Sequence, residues 1–134
     1  MKKIIFQNNS IFIKKIQFRS FFSGSKSSKE LGRRIFDHDV EIDEQKIHFK
    51  TVGWGSKNVL LMPGALGTAT TDFSIQLNEM DIKKYTLIAW DPPGHGKSRP
   101  PEKNFENFYE RDASKASDLM KVCCFIIFFL FWYS

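Results

Sequence analysis

Asp91-Pro92-Pro93-Gly94-His95-Gly96-Lys97-Ser98 stands directly after the apolar run Tyr85–Trp90. A short apolar run closed by turn residues is the pattern of a strand buried on both faces. Asp91 and Ser98 carry short polar side chains that hydrogen-bond nearby backbone, so they read as the pins of a tight turn. Gly94 and Gly96 supply the backbone freedom such a turn needs. His95 reads as a loop residue in preference to a catalytic base. Two phosphate-binding alternatives fail. A phosphate loop ending at Gly96-Lys97-Ser98 would need its first glycine at Asp91, and Arg99-Pro100-Pro101 stands where its helix should begin. A dinucleotide fingerprint starting at Gly94 and Gly96 would need a third glycine at Arg99.

A second loop lies upstream. Val59-Leu60-Leu61-Met62 is another continuous apolar run, expected to be a strand buried on both faces, and Pro63-Gly64-Ala65-Leu66-Gly67 follows it. Ester hydrolysis places negative charge on the carbonyl oxygen, and preorganised backbone N–H groups at a strand end can bind it. Gly64 and Gly67 make such a turn possible. Ala65, and after it Leu66, is the candidate donor amide, and an ordinary glycine-rich turn is the structural alternative.

Around these loops the chain reads as alternating strand and helix. Val40 and Ile42 alternate with Asp39, Glu41 and Asp43, giving a half-buried strand from His38. After the polar turn Asp43-Glu44-Gln45, the residues Ile47, Phe49 and Val52 predict a strand that pairs back as a hairpin. Gly53-Trp54-Gly55-Ser56 ends it. A helix is expected over Phe73–Met80, capped by Thr71 or Asp72, and another over Phe108–Lys121 with Phe108, Ala116, Leu119 and Met120 among its apolar positions. The order strand, strand, strand, helix, strand, helix argues for an α/β fold with a partly parallel sheet.

The two ends differ from this middle. Residues 1–29 carry seven basic side chains and no acid, with Ile5, Phe12 and Ile16 placed to share a helical face. That composition predicts a mitochondrial transit peptide; without targeting, the cytoplasm is the expected location. From Glu30 onward 13 basic residues face 15 acidic ones, a net charge of −2, so no basic excess marks a nucleic-acid partner. Cys123 and Cys124 are adjacent, and His38, His48 and His95 are dispersed, a pattern without metal-ligand spacing. Val122–Tyr133 is twelve consecutive apolar or aromatic residues. A membrane span needs about 20, so no transmembrane span is expected. A small membrane-associated or interaction protein using this apolar tail is the alternative reading of the chain.

Taken together, the two loops are more specific than either alone, with Gly64 and Asp91 standing 27 positions apart. Leu60-Leu61-Met62-Pro63-Gly64, Thr71-Asp72-Phe73, Ala89-Trp90-Asp91-Pro92, Gly94 to Pro101, Phe108 to Ala113 and Asp118 to Lys121 resemble the biphenyl hydrolase-like family of α/β-hydrolases. The resemblance covers residues 38–121. It implies the N-terminal part of an α/β-hydrolase fold, about four strands and two or three helices, ending before strand five. It also implies a serine hydrolase that cleaves small esters, notably α-amino acid esters, with a Ser-Asp-His triad and no cofactor. The family's serine sits in a Gly-x-Ser-x-Gly elbow, and no such motif occurs in these 134 residues. The 134 residues are therefore expected to be inactive as they stand. Residues 122–134 lie outside the resemblance, and the abrupt change at Lys121 is read as translated intron or otherwise aberrant sequence, since a valine codon can begin with the GT of a splice donor. The family's central strand pairing would then be missing, leaving a sheet edge open to self-association.

Overall fold

The computed structural model describes the backbone of residues 13–19 and 33–132 and the side chains of 33–124. Five strands and two helices follow in the order β1 (Ile13–Arg19), β2 (Ile35–Ile42), β3 (Gln45–Val52), β4 (Lys57–Leu61), α1 (Ala69–Glu79), β5 (Tyr85–Trp90) and α2 (Phe108–Trp132). They form one mixed sheet of order β1-β2-β3-β5-β4. The alternation of strand and helix anticipated from residue 38 onward is present, as in an N-terminal α/β portion.

β2 and β3 form the hairpin through Asp43 and Glu44, both at positive φ (48° and 64°). Paired left-handed residues match the twist of the flanking strands. β5 inserts antiparallel to β3 and parallel to β4, with Leu60 opposite Ile88 and Leu61 opposite Ala89. Helices cover both sides of β5, which explains its unbroken apolar sequence. On one face Ile88 and Trp90 join Val40, Ile42, Ile47 and Phe49 against Ala116 and Leu119 of α2. On the other, Leu87 and Ala89 join Val52 against Ala69 and Leu77 of α1.

Several boundaries differ from the sequence reading, each for a physical reason. β2 begins at Ile35 rather than His38, because Ile35 pairs with Val52 and packs on the α1 side. Just before it, Arg33 donates from Nη1 to the Leu77 carbonyl (2.7 Å) and from Nη2 to that of Met80 (2.6 Å). This satisfies carbonyls at the α1 C-terminus that the helix itself leaves open. α1 begins at Ala69, four residues earlier than expected. Its N-cap is Thr68, which exchanges hydrogen bonds with Thr71, so neither Thr71 nor Asp72 is the cap. Phe73 leaves helical geometry (φ −122°, ψ 17°), and the expected start at 73 coincides with this kink.

β4 is a strand but is not buried on both faces. Lys57 and Asn58 are exposed and Val59, Leu60 and Leu61 are half-buried, because β4 pairs only with β5 among the described residues. α2 does not stop at Lys121. It runs to Trp132, and Val122 and Cys123 are buried in the same cluster as Ala116 and Leu119. Burial pushes the Cys123 thiol up to about 12, with the Cys124 charge adding to it. At the other end, Ile13–Arg19 pairs antiparallel along β2 instead of forming the helical turn expected around Ile16. The remainder of the segment read as a targeting sequence lies outside the described residues.

Candidate functional site

β4 and β5 are parallel neighbours, so the loops that leave their C-terminal ends emerge side by side. Outside the carboxyl ends of parallel strands is where open α/β sheets hold ligands. The 63–67 and 91–98 loops occupy that place.

The second loop is closed by its own polar residues. Asp91 is 4% exposed and Ser98 is fully buried. The Asp91 carboxylate accepts from the Lys97 amide (2.8 Å) and from the Ala69 amide at the start of α1 (2.9 Å). Ser98 Oγ donates to the Asp91 carbonyl (2.7 Å) and accepts from the His48 amide of β3 (2.8 Å). Gly94 N donates to the Ser98 carbonyl (2.9 Å), and Ser98 N to that of His95 (2.8 Å). Gly96 has φ +48°, and a Cβ there would lie 2.3 Å from an Asp91 carboxylate oxygen. Glycine is therefore required by both the backbone and the close approach of the pin.

The first loop is pinned differently. Gly67 N donates to the Gly64 carbonyl (3.0 Å), forming the turn, and Asp72 Oδ2 accepts from Gly64 N (3.0 Å). A Cβ on Gly67 would meet the Asp72 carboxylate at 1.9 Å, whereas one on Gly64 would find its nearest neighbour at 3.8 Å. Ala65 and Leu66 form the exposed apex, Leu66 being 78% exposed. Their amides have no hydrogen-bond partner among the described residues.

Two contacts join the loops. One is the Asp91–Ala69 bond, which ties the second loop to the helix that follows the first. The other runs from His95 Nδ1 to the Gly67 carbonyl (3.4 Å). His95 is 7% exposed and its ring meets Phe105 edge-on at 6.1 Å. Between the loops opens a depression of about 400 Å³ lined by Leu66, His95, Arg99, Glu102, Lys103 and Phe105 among others. The sequence separately singled out Ala65, Leu66, Gly64, Gly67, Asp91, Gly94, Gly96 and Ser98, and the fold brings all of them to this one end of the sheet.

Beside the second loop lies a polar cluster that sequence reading did not find. His48 is 3% exposed. Its Nδ1 stands 2.8 Å from Asp39 Oδ1 and its Nε2 3.1 Å from Asp37 Oδ1. Lys50 donates to the same Asp37 oxygen (2.6 Å), and Lys97 of the loop approaches it at 3.8 Å. Burial pushes the Asp37 carboxyl up, but the Lys50 hydrogen bond and the charges of Lys50, Lys97 and His48 outweigh it, leaving it below the usual value. Asp37 opposes Lys50 and Asp39 opposes His48 across the hairpin, so strand register was the only signal that could have revealed the cluster. Among the described residues no group of three or more His, Cys, Asp or Glu is placed to hold a metal ion.

No protein-family model matches the chain. It is 44% identical over 95 residues to serine hydrolase BPHL of Mus musculus, covering 70% of this chain and 33% of that protein. The human serine hydrolase BPHL gives 43% over the same extents. The chain belongs to the biphenyl hydrolase-like family. It spans about a third of the length of the curated BPHL relatives it matches.

Proposed function

We propose that this chain supplies the first oxyanion donor and the substrate-facing loops of an α-amino acid ester hydrolase, and that these 134 residues do not by themselves turn over an ester. The observation that carries the reading is the exposed Ala65–Leu66 apex. Its amides are left unused while every neighbouring amide that shapes the turn is engaged, and it sits beside a depression of about 400 Å³. In α/β-hydrolases one oxyanion donor comes from the loop after the family fold's third strand, which we read as the loop between β4 and α1 here, and the other from the residue following the nucleophile. The 134 residues contain no Gly-x-Ser-x-Gly elbow. Loss of a serine nucleophile costs on the order of 10⁶ in turnover.

The reading extends to residues 1–29 as a mitochondrial targeting segment, supported by their seven basic and no acidic side chains. It extends also to self-association along the side of β4 that no strand of the described residues covers. A membrane-associated role for the tail is less well supported. Val122 and Cys123 are used in the core, and among the described residues no helix is long and apolar enough to cross a membrane.

A chimera tests the proposal. Residues 33–121 are placed in the mouse relative in exchange for the matching segment, and hydrolysis of an L-valine ester is measured. The chimera is expected to be active, and Ala65→Pro or Leu66→Pro, whichever removes the donor N–H, to lower kcat by about 10²–10³. A folded but inactive chimera, or full activity in both proline variants, would overturn it.

A further inference from the structure

We infer that the depression beside the Ala65–Leu66 turn is an aromatic subsite, taking a flat apolar group of the ester, with Phe105 as the residue that sets the preference. The inference rests on the ester-hydrolase reading and specifies its substrate. About 400 Å³ falls within the range of small-molecule sites. Its apolar walls are open rather than spent on the core: Leu66 is 78% and Phe105 52% exposed.

The wall is also ordered. The ring of His95 is held between the Gly67 carbonyl (3.4 Å) and Phe105, which it meets edge-on at 6.1 Å. Phe105 in turn meets Phe108 edge-on at 5.7 Å. His95 and Phe105 line the depression, and Phe108 backs Phe105 from outside it, so the two lining rings present a held surface that a ligand ring can meet at little further ordering cost. The cations at the lip are already engaged by the protein. Lys103 bonds Asp112 (2.5 Å) and lies 5.0 Å over the Phe108 ring, and Arg99 Nε donates to the Gly94 carbonyl (3.0 Å). Arg99 keeps its charge, but the Glu102 carboxylate lines the same depression, so an anionic group gains little there.

The test is amide chemical-shift titration of the full ¹⁵N-labelled chain with L-valine benzyl ester and with L-valine methyl ester. The benzyl ester is expected to shift Leu66, Gly67, His95 and Phe105 and to bind about 5- to 10-fold more tightly. Phe105→Ala should erase that difference and Phe105→Tyr should keep it, with shifts elsewhere in the spectrum of both variants unchanged. Equal binding of the two esters, or a preference that survives Phe105→Ala, overturns the aromatic subsite while leaving the ester-binding turn standing. Absence of shifts at Ala65 and Leu66 with either ester removes both.

Discussion

Replacing Asp91 with asparagine is the most informative single change to the scaffold. The carboxylate holds two amides at once, the buried one of Ala69 at 2.9 Å and the part-buried one of Lys97 at 2.8 Å. An asparagine of the same shape offers one carbonyl oxygen, so in either orientation its NH₂ faces one of those N–H groups. The loss is one hydrogen bond to a charged acceptor, about 1.5–3 kcal/mol, and one buried donor left unmatched, about 1–3 kcal/mol. A negative charge near the start of α1 is also lost, worth about 0.3–1 kcal/mol. The three contributions sum to about 3–7 kcal/mol, and because the lost hydrogen bond and the unmatched donor overlap, the expected destabilisation is about 3–5 kcal/mol, a large share of a typical stability of about 5–15. Urea unfolding of dilute protein, followed through the buried Trp90 indole, measures it. With an m-value of about 2 kcal/mol/M the midpoint should fall by about 1.5–2.5 M. Hydrogen exchange should quicken first at Ala69 and Lys97. A midpoint shift under about 0.5 M, or exchange unchanged at both amides, would refute the claim that Asp91 joins the two loops.

Gly67→Ala should destabilise by about 0.5–1.5 kcal/mol, because its Cβ would meet the exposed Asp72 carboxylate at 1.9 Å and push it off the Gly64 amide, while Gly64→Ala should cost less, its nearest contact being 3.8 Å; equal melting temperatures would contradict this. Burial lowers His38 to about 4, against opposing attraction from Asp37 and Asp39. The unfolded chain then takes up a proton that the folded one resists between pH 6.5 and 4. Stability should be intact above about 6.5 and fall by about 1–2 kcal/mol on going to pH 5, an effect that His38→Phe should flatten in urea titrations at the two pH values. Sedimentation at rising concentration should show self-association, since among the described residues β4 pairs on one side only; a monomer at every concentration would argue against that role.

How much was legible in the sequence depended on whether an element's signal was local. Tyr85–Trp90 could be read because both its faces are covered, so all its side chains are apolar or small. Val59–Leu61 was equally apolar, yet its half-exposure follows from its place at the side of the described sheet, which depends on strand order. The α1 cap was missed because Thr71 fills the position usually held by Glu or Gln in a capping box. Arg33 was silent because its acceptors lie 44 and 47 residues away. The composition change at residue 122 concealed a continuous helical stripe: Leu119, Val122 and Cys123 follow the i, i+3, i+4 spacing and share one core. Both loops were identified, but their union through Ala69 and His95 required the parallel pairing of β4 with β5.

The central claim is that these residues supply the scaffold and one oxyanion donor but not the chemistry. Hydrolysis of an L-valine ester by the purified, sequence-verified 134-residue chain measures this most directly. The account predicts a rate indistinguishable from that of buffer alone. Robust, saturable turnover, lost on Ala65→Pro or Leu66→Pro, would show that a nucleophile resides within these residues and would contradict it.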